Sequence, residues 1–272
     1  MHRSGIISLL TDFGNQDAYV GIMKGVIAGI NPGAHIIDIC HNILPHDIGN
    51  GAYLLSTSYK YFPKGTIHVA VIDPGVGSAR GIVCVETQDY LFLAPNNGLL
   101  SLIARKERLK NIIHITNSRY FLPSPGHTFH GRDIFAPVAA HLSRGIKIRQ
   151  LGAKIDQLEC LDIPEPRFKK PGQLEGQIIS IDRFGNLITN ITRTHVESLA
   201  LGQRDSEVII GKKKILGLSK TYADVSDGKS LTLIGSAGFL EISVNQGNAQ
   251  KYFNVDRGSK ISIRLMKHAQ SR

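Results

Sequence analysis

The 272-residue sequence predicts an α/β N-terminal domain over residues 1–164 and an all-β C-terminal barrel domain over residues 165–272. In the first part, short apolar runs alternate with helical patterns, which is typical of βαβ units around a central, mostly parallel sheet. A stiff polar connection containing Pro164, Pro166 and Pro171-Gly172 follows, as is common between domains. Beyond it the runs are β-like, which favours a small antiparallel barrel or sandwich.

The first domain opens with a predicted buried strand, Ile6–Leu10, because this apolar run is short and continuous. Between Tyr19 and Ile30, apolar residues recur at three- and four-residue steps, which predicts a helix that Asn31-Pro32-Gly33 ends. The other predicted strands are His35–Cys40, Ile67–Ile72, Ile82–Glu86, Leu91–Leu93 and Ile112–Ile115. The other predicted helices are Ile48–Tyr61, Leu99–Ala104 and Ile134–Leu142.

The second domain contains β-like runs separated by Gly, Asn and Asp, which are the residues that turns prefer. The predicted strands are Gly176–Ile181, Leu187–Ile191, Val208–Ile210, Leu231–Ile234, Leu240–Val244 and Ile261–Leu265.

The chain is basic, with 32 Lys+Arg against 22 Asp+Glu and a pI near 9.6. Such an excess raises the possibility of a polyanionic partner. Much of it falls at Lys169-Lys170 and at Lys212-Lys213-Lys214, and the triplet is more typical of a hairpin turn facing solvent. Aromatic residues are not interleaved with these lysines, as a single-strand binding surface requires. We therefore expect no nucleic-acid partner, and a nucleotide- or RNA-binding protein is kept as the alternative from a different class.

The cysteines and the N-terminus predict a cytoplasmic protein. Cys40, Cys84 and Cys160 are too widely spaced and too few for a disulfide framework, which favours a reducing compartment. The apolar run Ile6–Leu10 is too short for a signal-peptide core, and no run approaches the ~18 apolar residues of a membrane helix. We expect no membrane partner.

Four polar, glycine-containing stretches follow predicted strands, where open α/β sheets bind their ligands. They are Thr11–Gly14, Asp73–Arg80, Ala94–Gly98 and Thr128–Asp133. The Asp73–Arg80 stretch lacks the ending of a phosphate-binding loop, so it is either a tight turn or a pair of charges that orients a small polar ligand. Asp12 either caps the helix that starts near Asp17 or accepts hydrogen bonds from a ribose diol.

His127, His130 and Asp133 invite comparison with a metal site, but three ligands from one short loop are hard to place around one ion. We expect no metal, and His130 better suits acid–base chemistry or the orientation of water. In the second domain, Asp182–Asn186 forms a polar and aromatic cluster that hairpin turn chemistry alone explains. Tyr222 and Ser236 occupy further loops.

Seven stretches, taken in order, resemble one family across nearly the whole chain: the S-adenosyl-L-methionine (SAM) hydroxide adenosyltransferases. These adenosine-forming SAM hydrolases are relatives of the fluorinases and chlorinases. The stretches are TDFGNQDAYVGIMKGVI (11–27), HDIGNGAYLL (46–55), HVAVIDPGVGSAR (68–80), APNNGLLS (94–101), TFHGRDIFAPVAAHL (128–142), IDRFGNLITNI (181–191) and GSAGFLEISVNQGNA (235–249).

The resemblance implies an α/β domain with a seven-stranded sheet, a C-terminal β-barrel, and a homotrimer that binds SAM between neighbouring subunits. No cofactor is implied, because SAM is the substrate. The implied catalytic set is Asp73, Arg80 and His130. The implied substrate-binding residues are Asp12 for the ribose hydroxyls, Asn186 with Asn248 and Ala249 for adenine, Phe184 and Tyr222 against the purine, and Asp182 and Ser236 for the methionine end.

The halogenase branch is the nearest alternative, and the reacting residues distinguish it. Those relatives carry Tyr at the Asp73 position and Tyr-Ser where this chain has His130-Gly131. Three ionisable groups favour water over a halide, so we expect hydrolysis to adenosine and L-methionine. The halogenases' Arg that follows the Ser236 position is Ala237 here, which leaves the contacts of the methionine carboxylate unassigned.

Overall fold

The structure is a computed structural model that describes residues 2–199 and 206–266. The chain divides into two compact units, Met1–Leu161 and Asp162–Arg272. Each unit has its own sheet and its own apolar core.

The first unit is built on a seven-stranded sheet with the order β2-β1-β3-β5-β4-β6-β7. Its strands are β1 (Ile6–Thr11), β2 (His35–Cys40), β3 (Ile67–Val71), β4 (Ile82–Glu86), β5 (Leu91–Pro95), β6 (Asn111–His114) and β7 (Lys154–Ile155). Strands β2, β1, β3 and β5 are mutually parallel, while β4 and β7 each run against their neighbours. Most strands therefore share one direction, which confirms the predicted α/β class and brings several strand ends to one edge.

Four α-helices cover the two faces of this sheet. They are α1 (Tyr19–Ile30), α2 (Ile48–Ser58), α3 (Ser101–Lys106) and α4 (Ala136–Ser143). Alternate residues of a strand point to opposite faces, so Leu9 and Val71 join the core that includes Met23 and Val138, while Leu10 and Ile72 join a second core. This two-sided burial explains why the central strands are almost continuously apolar in sequence.

Two predicted helices of this unit differ in detail. The last three residues of predicted helix Ile48–Tyr61 form a 3-10 turn, and the helix placed at Leu99–Ala104 occupies Ser101–Lys106. The predicted Ile134–Leu142 helix is preceded by a π-helical turn, Gly131–Phe135. Pro137 lies in the first turn of α4 and has no N–H, so the carbonyl of Asp133 four residues earlier loses its helical donor. The backbone N–H of Leu122 donates to that carbonyl instead, at 2.9 Å.

The second unit is an eight-stranded antiparallel sheet with the order β12-β11-β15-β9-β10-β14-β13 and with β8 on β9. Its strands are β8 (Arg167–Lys170), β9 (Gln173–Ile181), β10 (Leu187–Thr192), β11 (Ser206–Ile210), β12 (Lys213–Leu216), β13 (Ser230–Ile234), β14 (Phe239–Val244) and β15 (Lys260–Leu265). The short helices are α5 (Arg193–Ser198) and α6 (Ala249–Phe253).

This second sheet curls into a nearly closed barrel, as the sequence predicted. The first half of β9 pairs with β15 and its second half pairs with β10, so the strand serves both walls. A bridge between Ser219 and Leu233 joins the two ends of the strand order. Barrel closure removes most of the exposed sheet edge that would otherwise template aggregation.

Candidate active site and substrate-binding loops

Asp12 and Asp73 follow two adjacent parallel strands, β1 and β3, and therefore lie at the same edge of the sheet. Ile72 is fully buried and Asp73 directly follows it, so the strand delivers the carboxylate to the point where the core ends. The Asn97 side-chain amide donates to the Ile72 carbonyl at 2.9 Å and fixes this strand end. This edge is where open α/β sheets bind ligands.

Asp73, Arg80 and His130 form one hydrogen-bonded cluster at this edge. Arg80 Nε donates to Asp73 Oδ1 at 2.8 Å, and Arg80 Nη2 donates to both Asp73 Oδ2 and His130 Nδ1, the latter at 2.9 Å. The side chains of Asp73 and Arg80 are only 5% and 11% exposed. The structure thus brings together three residues that are up to 57 positions apart in the chain.

The glycine-rich stretch between Asp73 and Arg80 is a tight turn that closes this ion pair. Ser78 donates through its hydroxyl to the Gly75 carbonyl at 2.7 Å, and the backbone of Val76 donates to the Asp73 carbonyl at 3.1 Å. Gly77 has a positive φ of 79°, and a Cβ there would overlap the His127 carbonyl. The tight turn is confirmed, and it pairs the two charges; their role in orienting a ligand stays a prediction.

The hydrogen bonds define the state of the His130 ring. An arginine only donates hydrogen bonds, so Nδ1 of His130 is an acceptor and the ring is neutral with its proton on Nε2. Burial, followed by the charge of Arg80, lowers the pKa of His130. The charges of Asp73 and Asp133, and then the backbone of Gly126, oppose that shift in pKa. His130 is therefore neutral around pH 7.

A cavity of about 160 Å³ opens beside the cluster. Asp73, Thr128 and His130 form its polar side. The remaining wall is formed by Phe13, Tyr19, Val71, Val76, Phe129 and Gly131. The rings of Phe13, Tyr19 and Phe129 contact one another at centroid distances of 5.1–5.8 Å. The cavity thus offers a small polar corner in an apolar surround, where electrostatic interactions are strong.

Gly131 lies where the aromatic wall meets the cavity. A Cβ at this position would lie 3.0 Å from Phe129, 3.1 Å from the Met23 sulfur and 3.2 Å from Phe13. The absence of a side chain therefore lets the aromatic wall close around the polar corner.

Asp12 does not cap the first helix, which corrects one of its two predicted roles. Helix α1 begins after Ala18, and that N-cap receives no side-chain hydrogen bond. Instead, Asp12 Oδ2 accepts a hydrogen bond from the backbone N–H of His46 at 2.8 Å. His46 adopts a positive φ of 68°, which is uncommon for a residue with a side chain. This held backbone gives His46 a structural function that its side-chain type did not indicate.

The loop that carries Asp12 is also tied to a buried histidine. Thr11 Oγ1 lies 2.8 Å from His41 Nδ1, and the backbone N–H of Gly14 donates to the His41 carbonyl at 2.7 Å. His41 Nε2 in turn lies 3.1 Å from Asp38 Oδ1. Because Thr11 and His41 are both buried, the carboxylate of Asp12 is presented from a rigid base.

In the second unit, the Asp182–Asn186 loop is held by its own aspartate. Asp182 Oδ1 accepts from the backbone N–H groups of Phe184 and Asn186 at 2.9 and 2.8 Å, and Oδ2 accepts from the Asn186 amide at 2.9 Å. A carboxylate has about four acceptor positions, so one remains for a ligand. Asn186 is nearly buried, whereas the Phe184 ring is 74% exposed.

Asn248 and Ala249 form a second turn against this loop. Asn248 Oδ1 caps α6 by accepting from the Lys251 N–H at 2.8 Å, and the Gln250 N–H donates to the Gly185 carbonyl at 3.0 Å. Gly185 has a φ of 86°, and a Cβ there would overlap the Asn248 amide. The structure thus brings Asn186 and Asn248 to one patch of the barrel unit.

Tyr222 has a buried partner that the sequence analysis did not single out. The Tyr222 hydroxyl donates to Glu241 Oε1 at 2.6 Å, and the Ser243 hydroxyl donates to the same oxygen at 2.9 Å. Burial, and then the hydrogen bond to Glu241, raise the pKa of Tyr222. Two polar residues two positions apart in the apolar strand β14 are the signal that a sequence reading could have used. Ser236 lies exposed in the turn between β13 and β14.

Other predicted features concern ions, membranes and the lysine triplet. Over residues 2–199 and 206–266, no group of three or more His, Cys, Asp or Glu side chains is arranged to hold a metal ion. No helix in these ranges is long and apolar enough to cross a bilayer.

Lys212 lies in the turn between β11 and β12, and Lys213 packs 3.6 Å above the Tyr252 ring. An aromatic ring does therefore accompany the triplet, which the linear sequence conceals.

Comparison with known proteins identifies relatives over nearly the full chain. An (R)-S-adenosyl-L-methionine hydrolase of Methanocaldococcus jannaschii is 40% identical and covers 95% of each chain. A fluorinase of an Actinoplanes species is 27% identical over 95% of this chain and 97% of its own. The crystal structure of an uncharacterized conserved protein from Thermotoga maritima superimposes with a TM-score of 0.90 at 37% identity, over 95% of this chain and 99% of that one.

The family comparison covers both units separately. Residues 7–152 match the SAM hydroxide adenosyltransferase N-terminal domain, and residues 176–262 match the C-terminal domain of the same family. The first match contains Asp12, Asp73, Arg80 and His130, and the second contains the Asp182–Asn186 loop. This chain belongs to the SAM hydroxide adenosyltransferase family.

Proposed function

We propose that this protein hydrolyses SAM to adenosine and L-methionine, with water or hydroxide attacking the ribose 5′ carbon. The observation that carries the proposal is the buried Asp73–Arg80–His130 cluster beside a small cavity, one strand away from Asp12. The hydrolase name of the 40% identical relative supports the same reaction.

The substrate supplies most of the driving force for this reaction. SAM carries a sulfonium, so methionine leaves the 5′ carbon as a neutral thioether. The new bond joins the water oxygen to C5′ while the bond from C5′ to sulfur breaks, and the bonding electron pair remains on sulfur. The enzyme must therefore hold the oxygen in line within ~3–3.5 Å of C5′ and remove one proton. No cofactor is required for these steps.

The cluster suits this task through its charge arrangement. Neutral His130 holds Nη2 of Arg80 through Nδ1, and Arg80 holds both oxygens of Asp73. Asp73 faces the cavity with acceptor positions to spare, so we assign it to accept a hydrogen bond, and then the proton, from the attacking water. Arg80 orients this carboxylate, and its positive charge favours the hydroxide character that the oxygen gains as its proton leaves. A halide would meet the Asp73 carboxylate in the same corner, which disfavours halogenation.

The remaining residues are proposed to bind the substrate. Asp12, whose Oδ2 is fixed by His46, accepts from the ribose diol. The Asn186 amide nitrogen is used by Asp182, which leaves its oxygen as an acceptor for the adenine amino group. Asn248 has its oxygen on the α6 cap, which leaves its nitrogen as a donor beside Ala249. Phe184 and Tyr222 supply aromatic faces, and Asp182 and Ser236 address the methionine amino and carboxylate ends.

We further propose a cytoplasmic homotrimer in which neighbouring subunits complete each site. The scattered free thiols of Cys40, Cys84 and Cys160 suit a reducing compartment. Asp73→Ala in one chain and Asn186→Ala in another should each abolish turnover. Mixing the two after reversible dissociation should restore about a quarter of wild-type activity, because one interface in four then pairs two intact halves. Lack of recovery, together with a monomeric mass, would contradict this assembly.

The reaction itself is tested by product analysis. Purified protein incubated with SAM should yield adenosine and methionine in equal amounts, with or without chloride. Asp73→Ala, Arg80→Ala and His130→Ala should lose turnover while SAM binding stays measurable. Adenosine formation that survives all three changes would place the chemistry elsewhere. A halogenated nucleoside that forms only with halide would select the halogenase reaction instead.

A further inference from the structure

Asp133 anchors the segment that leads into His130 at two separate points. Its backbone carbonyl, left without a helical donor by Pro137, accepts from the Leu122 N–H at 2.9 Å. Its carboxylate Oδ2 accepts from the Gly126 N–H, also at 2.9 Å. One residue of the π-helical turn therefore fixes both ends of the Leu122–Gly126 segment.

The Asp133 carboxylate is itself held rigidly. Its side chain is 4% exposed, and Arg132 donates to it through Nε at 2.6 Å and Nη2 at 3.0 Å. The Arg132 guanidinium also packs 5.3 Å from the centre of the Phe129 ring, in the cavity wall. A Cβ on Gly126 would lie 3.3 Å from Asp133 Oδ2, so a glycine permits the close approach.

The same turn connects this anchor to the catalytic cluster. His130 is the N-cap of the π-helical turn Gly131–Phe135, which contains Asp133. Nδ1 of the His130 ring accepts from Arg80 at 2.9 Å. The residue that anchors the turn and the residue that contacts Arg80 therefore lie three positions apart on one turn.

We propose that Asp133 is a positioning residue for SAM hydrolysis, which anchors the turn that His130 begins and so holds the ring against Arg80 as the neutral Nε2–H tautomer. This inference rests on the proposed function for its kinetic consequence, but the tautomer itself exists without substrate. Arg132 keeps the carboxylate in place, and the π-helical turn aims it at the loop.

The charge of Asp133 also acts on His130. The charged groups that act on this ring are Arg80, which lowers its pKa, and Asp73 and Asp133, which raise it, while burial lowers it further. Removal of the Asp133 charge therefore lowers the pKa of His130. Because neutral His130 is the active form, the acid limb of the pH–rate profile should move to lower pH.

The test compares Asp133→Asn with a matched control, Glu107→Gln. Glu107 accepts a hydrogen bond from the partly buried Tyr59 hydroxyl at 2.6 Å in the same unit, away from His130. We expect D133N to keep its affinity for SAM, to lose about tenfold in kcat, and to shift the acid limb to lower pH. Glu107→Gln should leave the limb in place. An unshifted limb in D133N, or an equal shift in the control, would overturn the proposal.

Two further measurements test the proposal if the D133N protein does not fold. Gly126→Ala keeps the Asp133 carboxylate but crowds it, and we expect kcat to fall by less than in D133N. Nitrogen NMR of histidine-labelled wild-type protein should show His130 protonated on Nε2 only, and G126A should show a mixture of tautomers. A pure Nε2–H ring in both proteins would contradict the positioning role. Since NMR needs no turnover, a failed hydrolase assay with this tautomer pattern would refute the function alone.

Discussion

Replacement of Arg80 by Gln removes the cation that joins the two other members of the cluster. In the structure, Arg80 donates two hydrogen bonds to Asp73 and one to His130. Gln has a similar reach but carries no charge and cannot bind a carboxylate through a planar fork. The substitution therefore leaves the 5% exposed Asp73 carboxylate without its counter-charge and His130 without its donor.

The expected magnitudes follow from this geometry. Loss of one partner of a buried ion pair costs about 3–5 kcal/mol, and the slight exposure of Arg80 places the expected loss of stability at about 2–4 kcal/mol. Loss of the residue that orients the proton-accepting Asp73 carboxylate costs roughly 10²–10⁴ in kcat. Arg80 lowers the pKa of His130, second only to burial, so its removal raises that pKa. The acid limb should then move to higher pH, opposite to Asp133→Asn.

The assay measures adenosine formation by chromatography across about pH 5–9, with SAM affinity by calorimetry and stability by urea unfolding. An Asp73→Asn/Arg80→Gln double variant should regain most of the lost stability, because no buried charge is then unpaired, but none of the turnover. Arg264→Gln breaks an arginine–carboxylate pair with Glu207 in the other unit and should leave kcat unchanged. The reasoning would be refuted by an Arg80→Gln variant whose kcat lies within tenfold of the wild-type value, or whose acid limb in the pH–rate profile moves to lower pH.

Three further predictions concern other residues. His68 is buried among aromatic rings, and burial lowers its pKa to about 3. The unfolded state therefore binds more protons below about pH 6.5, and the free energy of unfolding falls as the pH falls. Between pH 7 and pH 5, the free energy of unfolding measured in urea should fall by about 2 kcal/mol less in His68→Phe than in the wild type. Gly131→Ala places a methyl group against Phe13 and Phe129, so kcat should fall about tenfold or more with a modest loss of stability. An unchanged kcat would show that these rings move to accommodate the methyl group. Glu241→Gln weakens the anchor of Tyr222 and should raise KM for SAM several-fold at constant kcat, whereas a selective fall in kcat would contradict a binding role.

The fold class was accessible from the sequence because its signals are local. The continuous apolar runs of the central strands and the helical spacing from Tyr19 to Ile30 report burial directly, and both elements form as predicted. The π-helical turn at Gly131–Phe135 was not predicted, because the donor to its Asp133 carbonyl, Leu122, lies outside the helix and leaves no periodic pattern in the sequence. Short elements such as α6 were missed for the same reason, since tertiary contacts rather than periodicity sustain them.

The candidate site was predictable as a set of residues, but the pattern of hydrogen bonds among them was not. Asp73, Arg80 and His130 were named from motifs, yet the direction of the Arg80–His130 hydrogen bond decides the charge state of the ring. Such long-range pairings leave no periodic trace in a single sequence. Glu241 was overlooked because a lone acid in a strand normally faces solvent.

The central claim is that water attacks the 5′ carbon of SAM, and the fate of labelled oxygen tests it most directly. The protein is incubated with SAM in heavy-oxygen water, and the products are analysed by mass spectrometry. Hydrolysis at C5′ predicts one labelled oxygen in adenosine, located at the 5′ hydroxyl, and none in methionine. Unlabelled adenosine, or label found in methionine instead, would contradict the account.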